Sequence, residues 1–267
     1  MAEIVFLKLG GSLITDKSAE SVARPRVIRR LAREVRIALN KRPGLKLILG
    51  HGSGSFGHVV ASRHGTRKGV KGIEAWQGFS EVADAAAQLN RIVTAAFVKE
   101  GVPVLSLAPS ALARCEKGTL VKLDMTSLMN ALKSGLVPLV YGDVAFDSAW
   151  GGTIASTEDV FAYLAQEMSP TRILLASDVP GVFGQASATR VVPVITPATL
   201  EKIRPALSGS RGTDVTGGMA AKVMQMLTLV ERNPRLTVHI ISGKTAGLVQ
   251  RALISPDVST GTRLLAR

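Results

Sequence analysis

The chain has 267 residues, 46% of them hydrophobic, and carries 33 Lys and Arg against 20 Asp and Glu for a net charge of +13. That apolar content excludes wholesale disorder. The single cysteine, Cys115, excludes a disulfide framework and a multi-cysteine metal site, and no apolar run reaches the roughly 18 residues of a membrane span.

The first apolar run, residues 3–9, predicts a buried strand. It meets Lys8 too early to be a signal peptide and ends in the turn Gly10-Gly11-Ser12. A soluble, cytoplasmic protein is therefore expected. Residues 25–40 predict an amphipathic helix with Pro25 near its start. From Arg24 to Arg42 there are eight basic residues and one acid, Glu34. Such a cluster attracts anions, but aromatics are only 4% of the chain, which is poor equipment for stacking bases. Residues 45–49 predict a second strand, followed by the glycine-rich stretch Gly50 to Gly57 and His58. A basic loop is expected over 62–76 and a long helix over 77–100.

Further strands are expected at 102–107, 137–141, 172–176 and 236–241, with an edge strand at 262–264. Helices are expected at 122–133, 157–166, 217–232 and 245–253. Ser156 with Asp159 forms a capping box for the second of these. The stretch 184–216 reads as a surface excursion. This alternation predicts an α/β protein: a three-layer αβα sandwich around a mostly parallel sheet, in one domain over 1–267.

Three glycine clusters, Gly10-Gly11-Ser12, Gly50 to Gly57 and Gly217-Gly218, follow strands or precede helices, where backbone N–H groups meet anions. The sequence Gly52-x-Gly54-x-x-Gly57 matches a dinucleotide fingerprint. The acid that fingerprint needs is missing, because Glu74 falls before a helix and not at a strand end. A P-loop is excluded, because Val238 stands where its first glycine should be before Gly243-Lys244-Thr245. Lys8, Lys17 and Lys222 stand where phosphate charge could be met, and phosphoryl transfer needs cations and N–H donors more than covalent chemistry. His58 is a candidate hydrogen-bond donor to an anionic acceptor, with His51 as its competitor. Asp143 and Asp178 end strands and are candidates for Mg²⁺, lysine or nucleotide. Cys115 has no positional support as a nucleophile.

Lys8-Leu-Gly-Gly-Ser12, the glycine loop, Ser177-Asp-Val-Pro-Gly-Val182, and Asp214-Val-Thr-Gly-Gly-Met219 with Lys222 resemble the amino acid kinase superfamily. The likeness spans the chain in the expected order. Within that superfamily, Gly50 to His58 together with Lys17 resemble the isopentenyl phosphate kinases.

The resemblance implies ATP-dependent phosphorylation of isopentenyl phosphate, with Mg²⁺ carried mainly by the ATP phosphates and no metal ligand assigned on the chain. It implies a homodimer, with residues 1–142 binding the acceptor and 143–267 the nucleotide, and no membrane or nucleic-acid partner. Lys8, Lys17 and Lys222 would meet the ATP phosphates, and His58 the acceptor phosphate. Ser53, Gly54 and Ser55 would wrap that phosphate, with Thr157 nearby. Gly10, Gly11, Ser12, Gly54, Asp178 and Gly217 would line the nucleotide. Ser53, Ser55, Thr157 and Pro180 depart from the usual family residues. A fosfomycin-type kinase, a kinase of acidic amino acids and a nucleic-acid-binding protein on the same scaffold are the competing readings.

Overall fold

The computed structural model describes residues 3–184, 190–207 and 218–267. In chain order, β1 (Ile4–Leu9) leads through the short α1 (Gly11–Ile14) to α2 (Pro25–Lys41) and β2 (Lys46–His51). Next come α3 (Gly54–His64), a 3-10 turn (Thr66–Lys68), α4 (Ile73–Lys99), β3 (Val104–Ser106) and α5 (Pro109–Leu112). The hairpin β4 (Ala113–Glu116) and β5 (Thr119–Leu123) precedes α6 (Thr126–Lys133), β6 (Val137–Tyr141), β7 (Asp143–Asp147) and β8 (Gly151–Ala155). The second half holds α7 (Thr157–Met168), β9 (Arg172–Ser177), β10 (Val194–Ile195) and α8 (Pro197–Leu207). It closes with α9 (Gly218–Arg232), β11 (Thr237–Ser242), α10 (Leu248–Ile254) and β12 (Thr262–Leu264).

Eight strands form the main sheet in the order β10-β12-β11-β9-β1-β2-β6-β3, parallel except where β12 runs against β11. Side chains alternate across β1. Val5, Leu7 and Leu9 join an apolar cluster with Leu31, Phe97 and Leu253 under α2, α4 and α10. Phe6 joins the opposite cluster with Phe161 and Val230 under α7 and α9. Its ring lies 5.1 Å from that of Phe161. These are the two outer layers of the expected sandwich. β1 sits between β2 and β9, so the ends of three strands converge at its carboxyl edge.

The structure corrects several boundaries. Residues 62–76 are not one loop, since α3 runs on to His64 and α4 begins at Ile73. Residues 122–123 belong to β5, and the helix expected there starts at Thr126. β12 lies inside the sheet between β11 and β10, because β10, in the stretch read as an excursion, takes the edge. A second sheet, β5-β4-β7-β8, was not anticipated. Its strands are short, only β4 alternates cleanly, and Asp147 organises the turns. That carboxylate accepts from the amides of Lys117, Gly118, Ala149 and Trp150.

Candidate active site

The turns after β1 and β2 interlock. A Cβ on Gly11 would lie 2.5 Å from the Gly54 amide nitrogen, and one on Gly52 would lie 2.9 Å from the Gly11 nitrogen. Only glycine permits backbones to approach so closely. Gly54 has φ +53°, and a Cβ there would lie 2.3 Å from Thr15 Oγ1. Thr15 is fully buried and ties the turns together, donating to the Gly11 carbonyl at 2.8 Å and accepting from the Ser55 amide at 3.0 Å. The Ser55 amide is thus committed to the fold. Gly10 donates to the Ala176 carbonyl at 2.8 Å and Gly52 to that of Leu9 at 3.0 Å, which locks both turns to strand ends.

Lys8 points to the face of α7 and α9 and is 6% exposed. It forms an ion pair with Glu158, itself 4% exposed, in the first turn of α7. Burial alone would raise the Glu158 carboxyl, but the Lys8 and Lys222 ammoniums bring it below the ordinary carboxylate range. Glu158 therefore draws two of the three expected lysines to one place, β1 and α9 reaching it from different sides. The capping box at Ser156 fixes this turn: the Asp159 amide donates to Ser156 Oγ, and the Ser156 amide to Asp159 Oδ2 at 2.9 Å.

Lys17 is far more exposed, its side chain 68% accessible, with Nζ 3.9 Å from Asp178 Oδ2. Asp178 also accepts from Ser12 Oγ at 2.7 Å. Burial opposes ionisation of Asp178, but Ser12, Lys17 and Lys244 hold its carboxyl below the usual range. Ser12 and Asp178 thus bridge the turns after β1 and β9.

His51 and His58 are sharply different. His51 is fully buried, its ring stacked 5.5 Å from that of Tyr141. Its Nδ1–H donates to the Gly52 carbonyl at 3.1 Å, and its Nε2 accepts from Asn90 Nδ2 at 3.2 Å. Burial, aided by repulsion from Lys8 and opposed by the Gly52 hydrogen bond, lowers its pKa to about 4, so it is neutral at pH 7. His58 lies on α3, half-buried, four residues beyond Gly54. Thr157 is buried, its hydroxyl donating to the His51 carbonyl at 2.6 Å. A Cβ on Gly142 would lie 3.8 Å from both the Ser53 and the Thr157 amide nitrogens, so the glycine loop and the start of α7 face one gap.

Asp143 is buried and accepts from the Ser110 and Val144 amides, a structural role. Cys115 is buried, and that burial pushes its thiol up to about 11. Glu74 is in the first turn of α4. Gly217 lies outside the described residues. Glu158 and Thr15 escaped the sequence reading. The capping box at Ser156 was the available signal for Glu158, since it places the next acid at a helix start facing β1. Among the described residues no group of three or more His, Cys, Asp or Glu could hold a metal ion, and no helix is long and apolar enough to cross a membrane.

Interlocked glycine turns at the ends of parallel strands, with Lys8 and Lys222 sharing Glu158 beside them, define a phosphotransferase class. The profile of the amino acid kinase family matches residues 3–242, and the chain belongs to that family. Over 275 residues it is 32% identical to the isopentenyl phosphate kinase of Methanothermobacter thermautotrophicus, covering 99% of this chain and 100% of that one. It is 37% identical to the isopentenyl phosphate kinase of Haloferax volcanii over 85% of this chain and 88% of the relative. Among solved structures, an isopentenyl phosphate kinase superposes with a TM-score of 0.82 at 30% identity, covering 98% of this chain and 100% of the other. An isopentenyl phosphate kinase substrate complex superposes with a TM-score of 0.74 at 26% identity, covering 97% and 99%.

Proposed function

We propose that the chain transfers the γ-phosphoryl group of ATP to the phosphate of isopentenyl phosphate, giving isopentenyl diphosphate and ADP. The observation that carries this reading is full-length similarity to isopentenyl phosphate kinases at 32% identity, joined to a site built for two anions. An oxygen of the acceptor phosphate attacks the γ-phosphorus, and the bond to the β–γ bridging oxygen breaks. ADP leaves with that electron pair. The attacking oxygen is already ionised at neutral pH, so no general base is needed. What the protein supplies is charge neutralisation and alignment.

In this reading Lys8 and Lys222 meet the transferring group, oriented through Glu158. Lys17 joins them from the mouth. Its exposed pairing with Asp178 is worth little, so moving onto phosphate costs little. His58 and the amides of Ser53 and Gly54 hold the acceptor phosphate, and Thr157 keeps the loop beside them. Gly10, Gly11, Ser12, Asp178 and Gly217 belong to the nucleotide. The acceptor is assigned mainly to residues 1–142 and the nucleotide mainly to 143–267, with the turn after β1 reaching the nucleotide from the first part and the β7–β8 hairpin folded back onto the acceptor side. The prenyl tail belongs on the α4–β7 side, where Trp76, Phe79 and Phe146 cluster. Farther along α4, Ala85 and Ala86 are buried, 7% and 1% exposed.

Mg²⁺ is assigned mainly to the ATP phosphates, because it keeps several waters and is commonly held through substrate phosphates. A cytoplasmic homodimer completes the proposal. The test is ADP release with Mg-ATP and a panel of isopentenyl phosphate, dimethylallyl phosphate, fosfomycin and glutamate, with the product identified by mass. Turnover on isopentenyl phosphate to the diphosphate is expected. Turnover on fosfomycin alone would replace the acceptor and keep the lysine roles.

A further inference from the structure

The outward face of α2 takes no part in this site. Helical spacing places Arg26, Arg29, Arg33 and Arg36 in one row about 15 Å long, and all four are exposed. Together α2 and α10 contain one acid, Glu34. It turns inward, pairing with Arg30 and accepting from the Gln250 amide at 3.3 Å. Just past the end of α4, Glu100 faces the row, 3.8 Å from Arg29 and 3.0 Å from Arg33, while Arg36 donates to the Glu100 carbonyl at 3.1 Å. One carboxylate among three guanidiniums leaves the row cationic. Ile37, 38% exposed, lies within it.

Beyond the carboxyl end of the row, a hollow of about 470 Å³ opens between α10 and the segment 255–260 that follows it, with Lys41 at the end of α2 on its rim. Lys41 and Arg251 supply its cations, Leu248, Ile254 and Val258 its apolar walls, and Asp257 its acid. Neither α2 nor α10 contains an aromatic residue on which a base could stack. A row of guanidiniums with one half-exposed isoleucine, beside a hollow with cations and apolar walls, matches the headgroup layer of an anionic bilayer.

We propose that the α2–α10 face docks the protein on an anionic lipid bilayer, with the arginine row on the headgroup phosphates and Ile37 and the hollow against the first acyl carbons. The face flanks the sheet, whereas the reaction centre lies at the strand ends, so a docked molecule keeps its active site open.

The test is co-sedimentation of the full chain with phosphatidylcholine vesicles, with and without phosphatidylglycerol, at low and high salt. Binding is expected only with phosphatidylglycerol, weakening with salt. The Arg29→Gln/Arg33→Gln/Arg36→Gln variant should lose about 100-fold in partitioning, at roughly fivefold per arginine. A charge-matched Lys122→Gln/Lys133→Gln/Arg235→Gln variant should bind as wild type does. ADP release and thermal melting check that each variant is folded, and Ile37→Ser gives a milder second test expected to weaken binding severalfold. Absence of wild-type binding to anionic vesicles, or equal losses in the two triple variants, would overturn the proposal. So would tight binding to duplex or single-stranded DNA without vesicle binding, which would assign the face to nucleic acid.

Discussion

The two faces of a single strand, β1, are built to different ends. Val5, Leu7 and Leu9 enter a wholly apolar cluster, while on the other face Phe6 is followed by Lys8, ion-paired with Glu158. A buried charge pair roughly offsets its own desolvation and adds little net stability. The first face therefore holds the fold, and the second carries a charge whose use lies elsewhere. Lys8→Met should break the comparison most severely. Turnover should fall at least about 10³-fold, and stability by about 3–5 kcal/mol, because Glu158 loses its paired cation. Adding Glu158→Leu should restore stability in urea titrations without restoring turnover. Recovery of turnover in the double variant would show that Lys8 serves packing alone. Leu7→Ala, on the other face, should cost about 2–5 kcal/mol and leave kcat per folded molecule unchanged.

The glycine turns and His58 sharpen the same contrast on a smaller scale. Gly11→Ala forces apart backbone atoms that have no soft neighbour to yield, since the atoms met belong to Gly54 and Gly52. Turnover should drop about 10²–10³-fold with KM raised for both substrates, because both turns move together. His58→Ala should cost about 10²-fold, mostly in kcat/KM for the acceptor, with ATP binding by calorimetry unchanged. An equal loss in ATP affinity would move His58 out of the acceptor subsite.

Much of this was legible in the chain because local rules and global fold agree. The apolar runs of β1, β2, β6, β9 and β11 are buried parallel strands, and such strands read as continuous hydrophobic stretches. The capping box at Ser156 appeared where the spacing required it. The small sheet was illegible for the opposite reason. β5 reads Thr-Leu-Val-Lys-Leu, half exposed and bounded by Asp147-held turns that only tertiary contacts create. For Glu158 the capping box at Ser156 marks an acid at a helix start, but only the packing of α7 against β1 brings that acid to Lys8. The two histidines of the glycine loop were indistinguishable by spacing, and burial separates them.

That separation predicts the smallest effect, and it concerns stability. His51 titrates near 4 in the folded chain, against an ordinary value of 6.5. Between those values the unfolded chain binds a proton that the folded one refuses, so stability falls as pH drops through this window and is complete above it. From pH 7 to 5 the loss should be about 2 kcal/mol, at 1.36 kcal/mol per unit. His239, also lowered by burial, adds in the same direction, while Asp143, raised by burial, opposes it. The difference between wild type and a His51→Asn variant isolates the single residue. Asparagine can donate to the Gly52 carbonyl but does not titrate. Urea midpoints measured at pH 7 and pH 5 should fall less in the variant than in wild type. An equal fall in both would place the titrating group elsewhere and leave His51 a packing residue whose charge is never at issue.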